Sequence, residues 1–238
     1  MTGSLRIVHL YPRELGINGD VGNVLALRRR AEWRGLSVEV VDVAAGESLP
    51  SHAHLVHIGS GPASARQPLH ADIARHAPQL RAWADTGVPF LGVAAGWQLL
   101  GTSVTELDGS VSAGAGVLPT SAVLGAARIV GEIAGISSLG DIAGFVNHNA
   151  ATTLDGGLSL AVIDRGISAG SVVGVISGAA IGTDLHGPFL PMNPVWADHL
   201  LEAAAAIADV TLHAADPRIA VQDDRAARSR DAIRARLG

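Results

Sequence analysis

The chain has 238 residues, of which 48% are hydrophobic and 16% are charged, a composition typical of a globular protein. A chain of this length can bury roughly 70–75% of the surface that its unfolded form exposes. Its formal net charge of −5 argues against a nucleic-acid partner. It contains no cysteine, which excludes disulfides, zinc–cysteine sites and thiol chemistry within the chain.

The longest apolar runs, over 88–95 and 203–208, are far shorter than the ~20 residues that a membrane-spanning helix requires. The first residues lead directly into a strand-like run and lack the apolar stretch of a secretory signal. We therefore expect a cytoplasmic protein with no membrane span.

The first hundred residues alternate between strand and helix patterns. Short apolar runs bounded by turn residues predict strands over 5–11, 37–43, 54–60 and 88–93. The spacing of apolar residues predicts helices over 20–34, capped by Asp20 and closed by Gly35, and over 66–85. This alternation predicts an α/β fold with a mostly parallel central sheet and helices on both faces.

The second half is richer in short β-like runs separated by glycines. These runs lie at 127–133, 144–147, 158–162 and 172–183, and an Ala/Leu-rich helix is predicted over 193–210. From Asp216 onward, six arginines and four aspartates predict a mixed-charge helix, for which a solvated surface helix is favoured over a docking element. We therefore predict one domain over 1–212 and a helical tail over 213–238.

A glycine-flanked turn joins the predicted strand over 88–93 to the next helix. Gly92 and Gly96 stand two residues before and two after Ala94, which is the spacing of a nucleophile elbow. In such an elbow, the N-terminus of the following helix binds an oxyanion and lowers the pKa of a thiol. Tight packing of a helix on a strand favours the same glycines, so the spacing alone is weak evidence.

The neighbouring residues strengthen the pattern. The segment LGVAAGWQLLG over 91–101 resembles the signature L-G-[IV]-C-[GA]-G-[FYW]-Q-[LI]-L-G of class I glutamine amidotransferases of the GatD/CobQ type. Further family motifs match LYP at 10–12, GDVGNVL at 19–25, GSGPASARQ at 59–67, GFVNH at 144–148 and GTDLHGP at 182–188. The resemblance covers roughly residues 5–200 and implies the flavodoxin-like, three-layer fold of that family.

The resemblance also implies roles for particular residues. Ala94 stands where the family has its nucleophilic cysteine, and His186 stands where it has the histidine base. Gln98 would lie beside the substrate, and a backbone N–H near Gly61 would serve the oxyanion hole. Arg128 would bind the α-carboxylate of glutamine, although a surface arginine on a strand is an equal alternative.

Asn147 and His148 are expected to hold the α-amino group of the same glutamine. The acid that orients His186 is open, because Pro188 occupies the place where many relatives of the superfamily carry it. That acid must come from elsewhere in the fold or from a partner subunit, and Asp184 is a weak candidate because of its position in the strand. No metal site is predicted.

Two departures from the family pattern bear on activity. Ala94 removes the nucleophile, and Ser60, Pro62 and Ala63 replace the second glycine and the Gln-Asp pair of the family's first loop. Pro62 also cannot donate a backbone N–H. Two interpretations stay open: a glutaminase subunit in which alanine has been introduced in place of cysteine, or a natural pseudo-amidotransferase that binds glutamine or acts as a scaffold.

Substrate and partners follow from the resemblance alone. It implies L-glutamine as the ammonia donor and a Mur-ligase-like synthetase subunit of the MurT type, which activates a glutamate carboxylate of the peptidoglycan precursor lipid II. A corrin-like carboxylate is the alternative acceptor. The chain has no phosphate-binding loop and no lysine to complete one, so we expect no cofactor in this chain and ATP on the partner subunit.

Overall fold

The computed structural model describes residues 3–214 and 216–238. Its first hundred residues alternate between strands and helices, as the sequence predicts. The elements are β1 (Ser4–Leu10), α1 (Val21–Trp33), β2 (Ser37–Val43), β3 (Leu55–Ile58), α2 (Ala63–Arg66), α3 (Leu69–Asp85), β4 (Phe90–Val93) and α4 (Ala95–Leu100).

The remainder is mainly β-structure followed by helices. The strands are β5 (Ser103–Thr105), β6 (Val111–Ala113), β7 (Thr120–Ser137), β8 (Gly140–Leu154), β9 (Leu158–Ser159), β10 (Ala161–Gly166), β11 (Gly174–Ser177), β12 (Ala180–Thr183) and β13 (Leu185–His186). The helices are α5 (Phe189–Met192), α6 (Pro194–Ile207) and α7 (Pro217–Leu237).

The central sheet has seven strands in the order β2-β1-β3-β4-β12-β11-β9. The five strands from β2 to β12 are mutually parallel, and β11 and β9 add an antiparallel edge. The α/β fold with a mostly parallel central sheet is therefore confirmed. Parallel strands end at the same edge of a sheet, so the residues that follow β3, β4 and β12 meet there.

Two hydrophobic cores lie on opposite faces of this sheet. Alternate side chains of β1 divide between them, with Leu5 and Ile7 in one core and Val8 and Leu10 in the other. The first core also contains α1 and α6, and the second contains α3 and α4. This alternation is the two-residue period expected of a strand that is covered on both faces, and it gives the three-layer arrangement.

A second sheet, in the order β13-β8-β7-β5-β6, stands beside the first. Its main feature is the antiparallel hairpin of β7 and β8, with strands of 18 and 15 residues. This hairpin is much longer than the runs predicted over 127–133 and 144–147. The glycines, alanines and serines within it give weak local signals, and pairing along the hairpin determines its actual length.

The predicted run over 172–183 is two strands rather than one. β11 and β12 pair antiparallel as a hairpin around Gly178, whose φ is +56°. A glycine takes this left-handed backbone without the steric cost that a side chain would add. The turn brings β12 back beside β4, where it pairs parallel and directs residues 183–186 toward the elbow.

The C-terminal helix α7 contacts the rest of the fold along one side. Its residues Ile219, Ala226 and Ile233 are buried, whereas most of its other side chains are exposed. The guanidinium of Arg30, in α1, donates to Asp198 of α6 and to Asp223 of α7. The helix is therefore docked through a narrow apolar stripe and this ion-pair network, and not free in solvent as the sequence favoured.

Among the residues described, none of the helices combines the length and the apolar character that crossing a bilayer requires.

Candidate active site

The turn after β4 has the geometry of a nucleophile elbow. Ala94 lies between β4 and α4 with φ 46° and ψ −102°, a backbone conformation that strains a non-glycine residue. Its N–H donates to the carbonyl of Thr183 at 2.8 Å, and its carbonyl accepts from the N–H of Gln98 at 3.0 Å. These two bonds fix the turn between β12 and the first turn of α4.

The two flanking glycines are required by space. A Cβ on Gly92 would lie 2.9 Å from the backbone N and Cα of Trp97. A Cβ on Gly96 would lie 2.1 Å from the carbonyl oxygen of Ile58, so α4 can approach β3 only with glycine there. The weak spacing signal in the sequence therefore corresponds to a real elbow, with Ala94 at its tip.

A cavity of about 140 Å³ opens beside the elbow. It brings together six of the seven site residues predicted from the sequence. Its lining includes Gly61, Ala94, Gln98, Arg128, Asn147 and His148.

The wall opposite the elbow comes from the β7–β8 hairpin. The pairing of β7 and β8 shifts between Leu124 and Ile129, and the extra residues form a bulge that carries Arg128 to the cavity. Arg128 is exposed rather than buried, and its Nε donates to the side-chain oxygen of Asn147 at 2.9 Å. Its guanidinium can therefore bind a carboxylate in a cavity that solvent reaches.

His186 does not line the cavity. It is buried on β13, and neither ring nitrogen makes a hydrogen bond within the described chain. Its Nδ1 lies 3.6 Å from Oδ1 of Asp20. The chain around it is nonetheless tied to the elbow, because Thr183, three residues earlier, accepts the N–H of Ala94.

Asp20 is the acid beside His186 that sequence reasoning missed. The sequence predicts Asp20 only as the cap of α1, but its side chain makes no capping bond to that helix. It is fully buried, and its Oδ2 accepts the backbone N–H of Ser60 at 2.7 Å. The signal was present in the matched motif at 19–25, where Asp20 follows Gly19.

Asp184 lies closer to His148 than to the predicted base. Its Oδ2 is 3.7 Å from Nδ1 of His148, and His148 Nδ1 is itself 3.0 Å from the carbonyl of Ala150. Burial raises the pKa of the Asp184 carboxyl, and the neighbouring histidines His148 and His186 act in the opposite direction. This placement agrees with the low weight given to Asp184 as the acid for His186.

The loop that follows β3 closes the cavity floor. A Cβ on Gly61 would lie 2.5 Å from the carbonyl oxygen of Glu14, so this glycine allows close packing against the segment before α1. Ser60 bonds to the same segment through a backbone bond from Ile17 and a side-chain bond from Asn18. Pro62 stands at the N-cap of α2, and it brings no N–H to the cavity.

Behind this loop lies a buried ionic cluster that the sequence did not reveal. Arg66, which lines the cavity, is 1% exposed and donates to Glu106 at 2.8 Å and approaches His70 Nε2 at 2.7 Å. Burial lowers the pKa of His70, whose Nδ1 lies 2.9 Å from the carbonyl of Ala113. The cluster ties α2 and α3 to the strand β6 and so holds the loop in place.

The chain matches known proteins in sequence and in structure. Residues 6–194 match the family model described as the CobB/CobQ-like glutamine amidotransferase domain. The subunit GatD of lipid II isoglutaminyl synthase from Staphylococcus aureus is 31% identical over 205 residues, which cover 84% of each chain. Cobyric acid synthase of Sphingopyxis alaskensis is 27% identical over 197 residues, which cover 78% of this chain but 39% of that protein.

The fold agrees with the sequence matches. A crystal structure of a glutamine amidotransferase from Thermotoga maritima superposes with a TM-score of 0.56 at 16% identity, covering 97% of this chain and 94% of that one. Identity at this level supports the shared fold and no more.

Proposed function

The chain belongs to the CobB/CobQ-like glutamine amidotransferase family, and from this premise we propose that it is the glutamine-binding subunit of an amidotransferase that works with a Mur-ligase-like synthetase of the MurT type. The observation that carries the proposal is the cavity at the elbow, where Ala94, Gln98 and Arg128 meet. Similarity to GatD over 84% of both chains supports this partner class, and a lipid II glutamate carboxylate as the acceptor.

The cavity has the polarity that a glutamine requires. Arg128 offers a planar, permanently charged group to the α-carboxylate. Asn147 and His148 stand next to it on β8 and offer acceptors to the α-amino group. The side-chain amide of glutamine would then point to the elbow, where its carbonyl oxygen meets the start of α4 and the Gly61 loop.

The chain as it stands lacks the group that attacks this amide. The family reaction forms a thioester between a cysteine and the glutamine carbonyl while ammonia leaves. Loss of a nucleophile costs about six orders of magnitude in a comparable triad, so Ala94 leaves binding without turnover. A base at His186 would take the thiol proton and return one to the leaving nitrogen, and Asp20 would hold its ring.

The test is the variant Ala94→Cys. We expect it to release ammonia from glutamine, alone or with its synthetase, and the further substitution Asp20→Asn to slow that reaction by about 10²–10⁴-fold, as loss of proton-transfer support does. The matched control is Asp85→Asn, because Asp85 is an exposed aspartate at the end of α3 and does not line the cavity. A folded Ala94→Cys protein that releases no ammonia under either condition overturns the glutaminase proposal.

One observation favours a second candidate, a natural pseudo-amidotransferase that binds glutamine or serves as a scaffold. Pro62 stands in the loop expected to supply oxyanion-hole donors, where the family has glutamine. A chain in which only the nucleophilic cysteine had been replaced by alanine would keep the family's residue in this loop. In this case Ala94→Cys stays inactive until the loop is also restored, for example by Pro62→Gln. Activity of the single variant favours the first candidate.

A further inference from the structure

A second cavity, of about 270 Å³, lies between the two sheets behind the β8 wall of the first. Its outer end is formed by Ser168, Ser171 and Val172, which are exposed, and its inner end by Asp184. His148 is the one residue that lines both cavities among those described. The second cavity is therefore separate from the elbow and has its own opening.

The inner end of this cavity carries an acid without a hydrogen-bond partner. Asp184 is 7% exposed, and its carboxylate accepts no hydrogen bond from any residue within 3–214 or 216–238. Nδ1 of His148 lies 3.7 Å from Oδ2 of Asp184, and the same nitrogen is 3.0 Å from the carbonyl of Ala150. The carboxylate oxygens of Asp184 are not among the fully buried side-chain atoms, so they are open to the cavity. A largely buried carboxylate that accepts no hydrogen bond from the described chain favours a ligand that brings donors and a positive charge.

The rest of the wall determines what kind of cation fits. Apolar side chains from β7, β8 and β10 line the cavity, among them Ile129, Val146 and Ile163. A single carboxylate balances one positive charge, and the described residues hold no cluster of three His, Cys, Asp or Glu side chains that would bind a metal ion. A compact organic cation fits this cavity, because its charged end meets the acid and its alkyl part packs against the apolar side chains, away from water. The lining also includes polar groups from Thr152, Ser168 and Ser171.

We propose that this cavity binds a small primary ammonium compound, whose nitrogen donates to the Asp184 carboxylate and whose alkyl part packs against Ile129, Val146 and Ile163. The proposal concerns a site other than the elbow. It holds whether or not the chain binds glutamine, and the two can fail independently.

The test is a titration of the ¹⁵N-labelled chain with n-propylammonium chloride, followed by amide shifts at constant ionic strength. Two further probes separate the contributions: n-propanol has the same alkyl part without the charge, and ammonium chloride has the charge without the alkyl part. We expect n-propylammonium to give saturable shifts around Asp184 and Val173. The other two probes should bind at least about 10-fold more weakly, because n-propanol lacks the charged hydrogen bond and ammonium lacks the buried propyl group.

The variant Asp184→Asn should weaken n-propylammonium binding by about 10-fold or more, whereas Asp85→Asn should not change it. Asp85 is an exposed aspartate at the end of α3 and provides the matched loss of one charge. Equal binding of n-propanol and n-propylammonium, or unchanged binding by a folded Asp184→Asn chain, overturns the proposal. If Asp184→Asn does not fold, the comparison of the three probes on the unchanged chain decides.

Discussion

The strained backbone at the elbow predicts an unusually small change in stability for the substitution Ala94→Gly. The φ and ψ of Ala94, 46° and −102°, cost a non-glycine residue about 1–3 kcal/mol, which glycine does not incur. Against this, glycine loses one buried methyl group, worth ~0.8 kcal/mol. It also raises the entropy of the unfolded chain by roughly 0.5–1 kcal/mol. The net change is near zero, between about 1 kcal/mol of loss and 2 kcal/mol of gain.

The matched control is Ala204→Gly. Ala204 is fully buried within α6, so it incurs both losses without relief of strain, and we expect about 1.5 kcal/mol of destabilisation. Urea unfolding followed by tryptophan fluorescence measures the free energy of unfolding of both variants. Ala94→Gly should be more stable than Ala204→Gly by about 1–3 kcal/mol. Equal destabilisation would mean that the elbow holds no strain at position 94.

Three other predictions concern the surroundings of the site. Gly96→Ala should destabilise the fold by about 3 kcal/mol or more in the same unfolding assay, because its Cβ would lie 2.1 Å from the carbonyl oxygen of Ile58. A variant as stable as the unchanged chain would contradict the close approach of α4 to β3. Arg30→Met should release α7 from α1, and faster proteolytic removal of the tail should show this release. The substitution should lower the free energy of unfolding by about 1–3 kcal/mol, a moderate value because both acidic partners of Arg30 are partly exposed. Burial lowers the pKa of His57 to about 3, so between pH 6.5 and pH 3 the unfolded chain binds a proton that the folded chain does not. The free energy of unfolding should therefore fall as the pH drops through this range, by at most ~1.4 kcal/mol per pH unit. His57→Gln should flatten that slope in urea titrations at pH 7 and pH 5, and an unchanged slope would assign it to other groups.

The sequence predicts β1 to β4 of the central sheet well because each of these four strands carries its own signal. β1 and β4 are short, buried, apolar runs bounded by turn residues, and such runs predict strands without knowledge of their neighbours. The β7–β8 hairpin is different, since small residues fill it and its length depends on pairing between strands. The docked position of α7 likewise depends on Arg30, a residue almost two hundred positions away from Asp223.

The residues of the candidate site also divide into those with a local sequence signal and those whose position depends on distant contacts. The spacing of Gly92, Ala94 and Gly96 is local, and the structure supplies the steric reason for both glycines. The contact between Asp20 and His186 joins the start of α1 to β13, so the motif at 19–25 could mark Asp20 but could not show which residue it faces. The position of Arg128 at the cavity depends on a bulge in the hairpin, which the local sequence does not indicate.

The central claim is that the cavity beside Ala94 binds L-glutamine, and calorimetry on the chain as it stands tests it most directly, because Ala94 prevents turnover. We predict saturable binding of L-glutamine that Arg128→Ala weakens by about 10-fold or more, through loss of the charged contact to the α-carboxylate. Arg13→Ala, an exposed arginine outside this cavity, is the control and should leave binding unchanged. A folded chain that shows no heat of binding at millimolar L-glutamine, or equal binding by Arg128→Ala, would contradict the account.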